Sequence, residues 1–255
     1  MILDKVKTLI KMILIYENWY EMLLARYGFL GTGMAECQTR DGIRLIFRKA
    51  TTDHSIINDI FARKSYDKFS PIQNGFTVID IGANIGAFSI YAASKGAVVY
   101  SYEPEKENFK LLNKNISLNH GKEKIHPFNL AVGGKSGLTS LFISKENVGG
   151  HSIFPSPKLE SKQNVRITTL TDILRGKRIE KCDFLKLDCE GAEYDILFKI
   201  TKNMLAKIKR IGMEYHRIKG RNYKDMIKFL GENGFKVEAT KPSKIGMGII
   251  YASRN

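Results

Sequence analysis

Apolar and polar positions change rhythm along the 255 residues. Val6, Leu9, Ile13, Tyr16, Tyr20, Leu23 and Tyr27 recur at helical spacing, with Lys7, Lys11, Asn18 and Glu21 between them, which predicts one or two N-terminal helices. Asp41-Gly42, flanked by 36–39 and 43–47, predicts a hairpin, and 55–62 reads as a helix leading onward. From Thr77 short apolar runs alternate with helical segments, the pattern of a mostly parallel α/β sheet. Strands are predicted at 77–81, 97–102, 125–129, 183–188, 209–214, 235–239 and 248–253, and helices at 86–95, 105–118, 192–205 and 222–233. Gly96, Gly121 and Gly234 stand where helices should stop. The loop 240–246 has no room for a crossover helix, so the last two strands must pair antiparallel. Segments 138–143 and 163–168 read as an inserted hairpin around 145–162, a stretch with Gly149-Gly150-His151 and two prolines whose length suits a lid. A boundary near 71–75 separates an N-terminal helix and hairpin extension (1–75) from the α/β domain (76–255).

Candidate chemistry begins where the first strand of that sheet ends, at Val78-Ile79-Asp80-Ile81-Gly82-Ala83-Asn84-Ile85-Gly86-Ala87-Phe88. An acid followed by a glycine-bearing turn is how such a sheet presents backbone amides to a nucleotide-like ligand. Glu103, at the end of the next run with Pro104 after it, is placed to bind a ribose diol. A dinucleotide fingerprint beginning at Gly82 would need glycines at 84 and 87, where the chain has Asn84 and Ala87. No Gly-Lys-Ser/Thr ends the turn either. S-adenosylmethionine (SAM) carries no phosphate and needs only close backbone approach, which Gly82 and Gly86 would allow. Asp80 is then placed to reach its ammonium group, directly or through water.

Together with Asn108, Asn113 and Asn115, with Asn129-Leu130-Ala131-Val132, and above all with Asp183-Phe184-Leu185-Lys186-Leu187-Asp188-Cys189-Glu190-Gly191-Ala192-Glu193, these segments resemble the FkbM-type family of SAM-dependent methyltransferases, from about 77 to about 215. The resemblance implies a Rossmann-like sheet of seven mostly parallel strands with an antiparallel last strand. It also implies O-methylation of a hydroxyl on a sugar, glycan or secondary metabolite, and places Asn129 and Ala131 in the adenine pocket.

A hydroxyl acceptor needs a base or a metal to become a nucleophile. The strand-end rule brings Asp188, Glu190, Glu214 and His216 to the rim that holds the cofactor turn. His216 is the first choice as general base, against a surface histidine that merely ends a strand. Asp188 faces the transfer centre, and Glu190, before Gly191, points into the rim. Glu193 is explained by a helix start. Lys186 shares the face of Asp188 and is expected to pair with an acid. Mixed oxygen and nitrogen donors would permit a metal, but no spacing is diagnostic and none is assigned. His151 has only its place in the lid to recommend it.

The net charge of +15 raises nucleic acid and anionic membranes as partners, yet the lysines are spread along the chain, densest at 175–181, 199–210 and 217–228. A ribose methyltransferase is the nearest rival. Base amino-group chemistry is disfavoured by the lack of a Pro-Pro pair, and carbon-5 chemistry by the acids flanking Cys189. A SAM-binding protein held on a membrane by the basic N-terminal helix, without catalysis, is the alternative outside enzymes. No apolar run is long enough to span a bilayer, no secretory signal is evident, and three cysteines form no C-x-x-C pair. A cytoplasmic protein with reduced thiols is expected.

Overall fold

The computed structural model describes residues 2–29, 31–67, 70–144, 150–154, 161–244 and 246–254. Most of the segment read as a lid, 145–149 and 155–160, lies outside them.

The chain opens with helices α1 (Ile2–Ile15) and α2 (Trp19–Arg26), hairpin strands β1 (Met34–Gln38) and β2 (Arg44–Arg48), and helix α3 (Asp53–Phe61). Helices form as expected, but the buried face is another: Met12, Tyr16 and Met22 are fully buried, whereas Val6, Tyr20 and Tyr27 of the expected stripe are exposed and, of that stripe, only Tyr16 is in the core. Asn18, between the helices, donates to the Glu36 carbonyl at 2.7 Å and accepts from the Gln38 N–H at 2.8 Å, which fastens them to the hairpin. Val6, Ile10 and Leu14 form the exposed outer side of α1. Among the described residues no helix is long and apolar enough to cross a membrane.

The α/β part runs β3 (Thr77–Ile81), α4 (Ala87–Ser94), β4 (Val98–Tyr102), α5 (Lys106–Ser117), β5 (Ile125–Phe128), β6 (Ala131–Val132), β7 (Gly137–Ile143), β8 (Ser161–Thr168), α6 (Leu170–Gly176), β9 (Phe184–Leu187), α7 (Glu193–Phe198), α8 (Lys202–Leu205), β10 (Arg210–Tyr215), α9 (Tyr223–Glu232), β11 (Lys236–Ala239) and β12 (Gly248–Ser253). Seven of these strands form one sheet in the order β11-β12-β10-β9-β3-β4-β5. β12 is antiparallel to both β10 and β11, so the reversed last strand is inserted beside the edge. Alternation along the strands divides the core. Val78, Val99 and Phe184 pack with α1 to α5, whereas Ile79, Leu185, Leu187, Ile211 and Met213 pack with α6, α7 and α9.

An asparagine ladder joins the hairpin to α5. Asn115 accepts from the Ile46 N–H at 2.8 Å and donates to the Ile46 and Ile85 carbonyls, and Asn119 treats the Arg44 backbone in the same way. The outer edge of β2 is thereby hydrogen-bonded without a further strand.

Three features differ from the pattern reading. Helix α6 was not anticipated, although Thr169 accepts from the Asp172 N–H, an N-cap legible in Thr169-Leu170-Thr171-Asp172. The helix expected over 192–205 is two, because Thr201 turns extended (ψ 150°) and starts α8. The inserted hairpin β7–β8 gains β6 as a third strand, parallel to β8 and too short to show alternation.

Candidate active site

The carboxyl ends of β3, β4, β9 and β10 open into a cavity of about 450 Å³, closed from the side by α3 and by Met247 and Ile249. Beneath it lies a polar row. Asp80 is level with Ser101 of β4 and Lys186 of β9, all on the α4 face. Asp80 is fully buried, accepts from the Ser89 hydroxyl at 2.6 Å, and ion-pairs with Lys186 Nζ at 3.1 Å. Lys186 also donates to the Gly82 carbonyl at 2.7 Å, and lies 3.8 Å from Asp188. Burial opposes its charge, but Asp80 and Asp188 hold its pKa above the ordinary lysine value. The expected pairing of Lys186 with an acid is present. Asp80 is not on the cavity wall. Its charge faces Lys186, so of the two expected routes to the ammonium group, direct or through water, the structure does not offer the direct one.

The turn after β3 needs its glycines for the protein itself. A Cβ on Gly82 (φ +79°) would lie 1.8 Å from the Asp188 carbonyl oxygen, and one on Gly86 (φ +91°) 2.5 Å from the Leu112 side chain. Close packing between neighbouring elements by itself excludes a side chain at both. Gly82, Ala83 and Asn84 do line the cavity; Gly86 does not. Asn84 takes a left-handed conformation (φ 52°) and gives its N–H to Glu103 Oε2 at 2.8 Å. Glu103 Oε1 accepts from the Glu105 N–H at 2.9 Å. Burial pushes the Glu103 carboxyl up to about 7 despite these donors. Pro104 and Ala131 also reach the cavity. Asn129 stands behind it, its amide occupied by the Glu103 and Pro104 carbonyls at 2.9 and 3.0 Å, which sets the bend that carries Glu103.

On the other side of β3 the wall is acidic. Asp188, Glu190 and Glu214 all line the cavity. The Tyr66 hydroxyl, which the sequence reading missed, donates to Asp188 Oδ2 at 3.0 Å. Glu190 occupies a left-handed conformation (φ 54°), unusual for a residue with a side chain, and its carbonyl accepts from Ser152 at 2.7 Å. Burial lifts its carboxyl to about 7, with His216 opposing the rise. Burial and then Asp188 push Glu214 up as well.

Glu193 proves to be more than a helix-start acid. It is fully buried and accepts from the Cys189 and Gly191 N–H groups at 2.8 Å each, while its Oε1 lies 3.0 Å from His216 Nδ1. His216 sits behind the wall, not on it. Its burial disfavours charge, but Glu193, Glu190 and Asp188 outweigh that and raise its pKa to about 10. An imidazole that holds its proton so firmly is a poor general base near neutrality. His151 does line the cavity; burial lowers its pKa, and its Nδ1 accepts from the Ser144 N–H at 3.1 Å. Burial, Glu193 and Asp188 hold the Cys189 thiol far above its usual range, so it is no nucleophile.

The family described as methyltransferase FkbM domain matches residues 80–237, which run from the β3 acid past the β10 rim into β11. The chain belongs to the FkbM methyltransferase family. It is similar to the methyltransferase sdnD of Sordaria araneosa, 25% identical over 190 residues that make up 62% of this chain and 73% of that one. Methyltransferase 1 of Beauveria bassiana is 23% identical over 225 residues, 78% of this chain and 89% of the relative. Among solved structures, that of M. capricolum TrmK in complex with S-adenosyl-homocysteine has a TM-score of 0.47 at 13% identity, covering 76% of this chain and 68% of the other. As an FkbM-family member with this sheet, the chain is a SAM-dependent methyltransferase. The cavity fits that cofactor. Glu103, Ala83 and Asn84 line it together where β3 and β4 end.

Proposed function

We propose that the protein methylates a hydroxyl oxygen of a small-molecule or glycan acceptor. One observation carries this reading. The three carboxylates Asp188, Glu190 and Glu214 face one cavity with Glu103, from the other side of β3. Such a wall suits a neutral, hydrogen-bond-donating acceptor whose proton must be removed. It opposes a polyanionic one.

In this reading Glu103 binds the ribose diol, and Leu130 and Ala131 supply apolar surface to the adenine. SAM supplies a methyl on a positively charged sulfur, which keeps the electron pair as the carbon–sulfur bond breaks. The acceptor oxygen forms the new bond to that carbon, and its proton passes to the Glu190 carboxylate. Glu190 takes the role that the sequence suggested for His216 because it is on the wall, whereas His216 is behind it. Tyr66 orients Asp188, and Lys186 holds the Gly82 carbonyl so that the turn keeps its place.

The test is incubation of the purified protein with methyl-labelled SAM and fractionated cell extract. Label in small-molecule or glycan fractions, resistant to nuclease and to mild base, supports the reading. Base-labile label points to a carboxyl acceptor, and label in RNA to ribose methylation, and either sinks it. With an acceptor in hand, Glu190→Gln should lower kcat about 100-fold and leave SAM affinity nearly unchanged. A matched loss in both would remove Glu190 from the proton-transfer role.

A further inference from the structure

Asp188, Glu214 and His216 each present one donor atom, and the three atoms lie within 4.8 Å of one another. Acids gathered at a rim are common, and alone they would say little. The histidine makes this cluster different. Its side chain is 7% exposed, and Nε2 is buried without a hydrogen-bond partner. Glu190 Oε2 stands 3.5 Å from that nitrogen, close enough for an ion pair with the protonated ring but without a hydrogen bond. The other ring nitrogen is held by Glu193 at 3.0 Å, and Glu193 is itself fixed by the Cys189 and Gly191 N–H groups. A buried carboxylate that accepts the Nδ1–H hydrogen bond fixes the ring with Nε2 toward the cluster, which is how an imidazole ligand is oriented behind a metal, and a bound cation would replace the proton that Nε2 otherwise carries.

Backbone register supplies the rest. β9 and β10 are parallel with Met213 beside Leu187, so Glu214 comes level with Asp188, and His216 follows at the same strand end. Tyr66 donates to one Asp188 oxygen, and the carboxylate's other oxygen remains for an ion. Donors at this spacing are within about an ångström of closing on a cation with bonds of roughly 2.1 Å. Two carboxylates with one imidazole suit a divalent first-row ion that accepts both oxygen and nitrogen.

We propose that Asp188, Glu214 and His216 form a binding site for one divalent cation of the Mn²⁺ type, at the acceptor side of the cavity. Glu193 is a positioning residue that acts through His216. The use of the ion, polarising the acceptor hydroxyl so that Glu190 can take its proton, rests on the O-methylation reading; the existence of the site does not.

The experiment is a titration of Mn²⁺ into the 255-residue chain, read by loss of the free-ion electron paramagnetic resonance signal, without acceptor. One ion per chain should bind in the micromolar range. Glu214→Gln and His216→Asn should each weaken binding at least tenfold while circular dichroism and SAM affinity stay as in the parent. Should His216→Asn fail to fold, Asp188→Asn takes its place beside Glu214→Gln. Absence of binding to the parent protein, or equal binding by folded variants, overturns the site. Labelling assays with and without excess EDTA separate the two claims. Mn²⁺ binding without methyl transfer would retain the site and remove the function, whereas EDTA-resistant hydroxyl methylation without Mn²⁺ binding would do the reverse.

Discussion

The two walls that flank β3 both carry buried acids, yet they hold them by different means. On the β4 side Glu103 takes backbone N–H groups from Asn84 and Glu105, and Asn129 locks the bend around it. On the β9–β10 side Asp188, Glu190 and Glu214 are near one another, with His216 and Glu193 packed behind. A carboxylate held by fixed dipoles is a binding group whose orientation the backbone guarantees. Carboxylates that crowd each other repel, and that repulsion is relieved by a proton, an imidazolium or a metal ion. In the function proposed above, the first wall holds the cofactor in place and the second exchanges a proton with the acceptor.

The largest effect is expected where the walls touch. Gly82→Ala would drive a Cβ into the Asp188 carbonyl, at a position with φ +79°. It should cost about 4 kcal/mol or more in denaturant unfolding, and both walls should be lost together. A cost under about 1 kcal/mol would show that the turn and β9 can move apart.

Asp80→Ala comes next. It leaves Lys186 charged and buried without its closest acid. A loss of about 3 kcal/mol is expected, most of which Asp80→Ala combined with Lys186→Met should recover. Strong loss of SAM affinity with unchanged stability would instead return Asp80 to the ligand.

Glu103→Gln should act on one wall only. SAM binding by calorimetry should weaken about tenfold, with Mn²⁺ binding unaltered. Its pH signature is separate. The folded-state pKa, about 7, lies above the ordinary value of 4.5. The stabilisation from the protonated form is therefore complete below the unfolded value and lost as pH rises through 7. Unfolding free energy should fall between pH 4.5 and 7.5 in the parent and fall less in the variant. Parallel profiles would mean that Glu103 is not the buried titrating group.

Much of this was legible in the chain. The pattern located all seven strands of the main sheet; central β3 and β9 are covered on both faces and buried nearly throughout, whereas the edge strands β11 and β5 are only partly buried. Elements too short for periodicity were missed, namely β6 and α6, although the Thr169 cap announced the latter. Glu193 was misread because an acid in a first turn has an ordinary local explanation. Its three partners, Cys189, Gly191 and His216, become visible only when β9, α7 and β10 are packed.

The sequence by itself determined the order of strands and helices, the turn after β3, the acid at the end of β4 and the family. These depend on local propensity and on spacing along one chain. Tertiary structure decided the rest. Gly82 is required by a carbonyl 106 positions away, Asp80 faces Lys186 across a strand pair, and Glu190 reaches the cavity while His216 stands behind it. Contacts between residues so distant in sequence depend on strand register and on which face of the sheet a side chain takes, and both are set only when the sheet assembles.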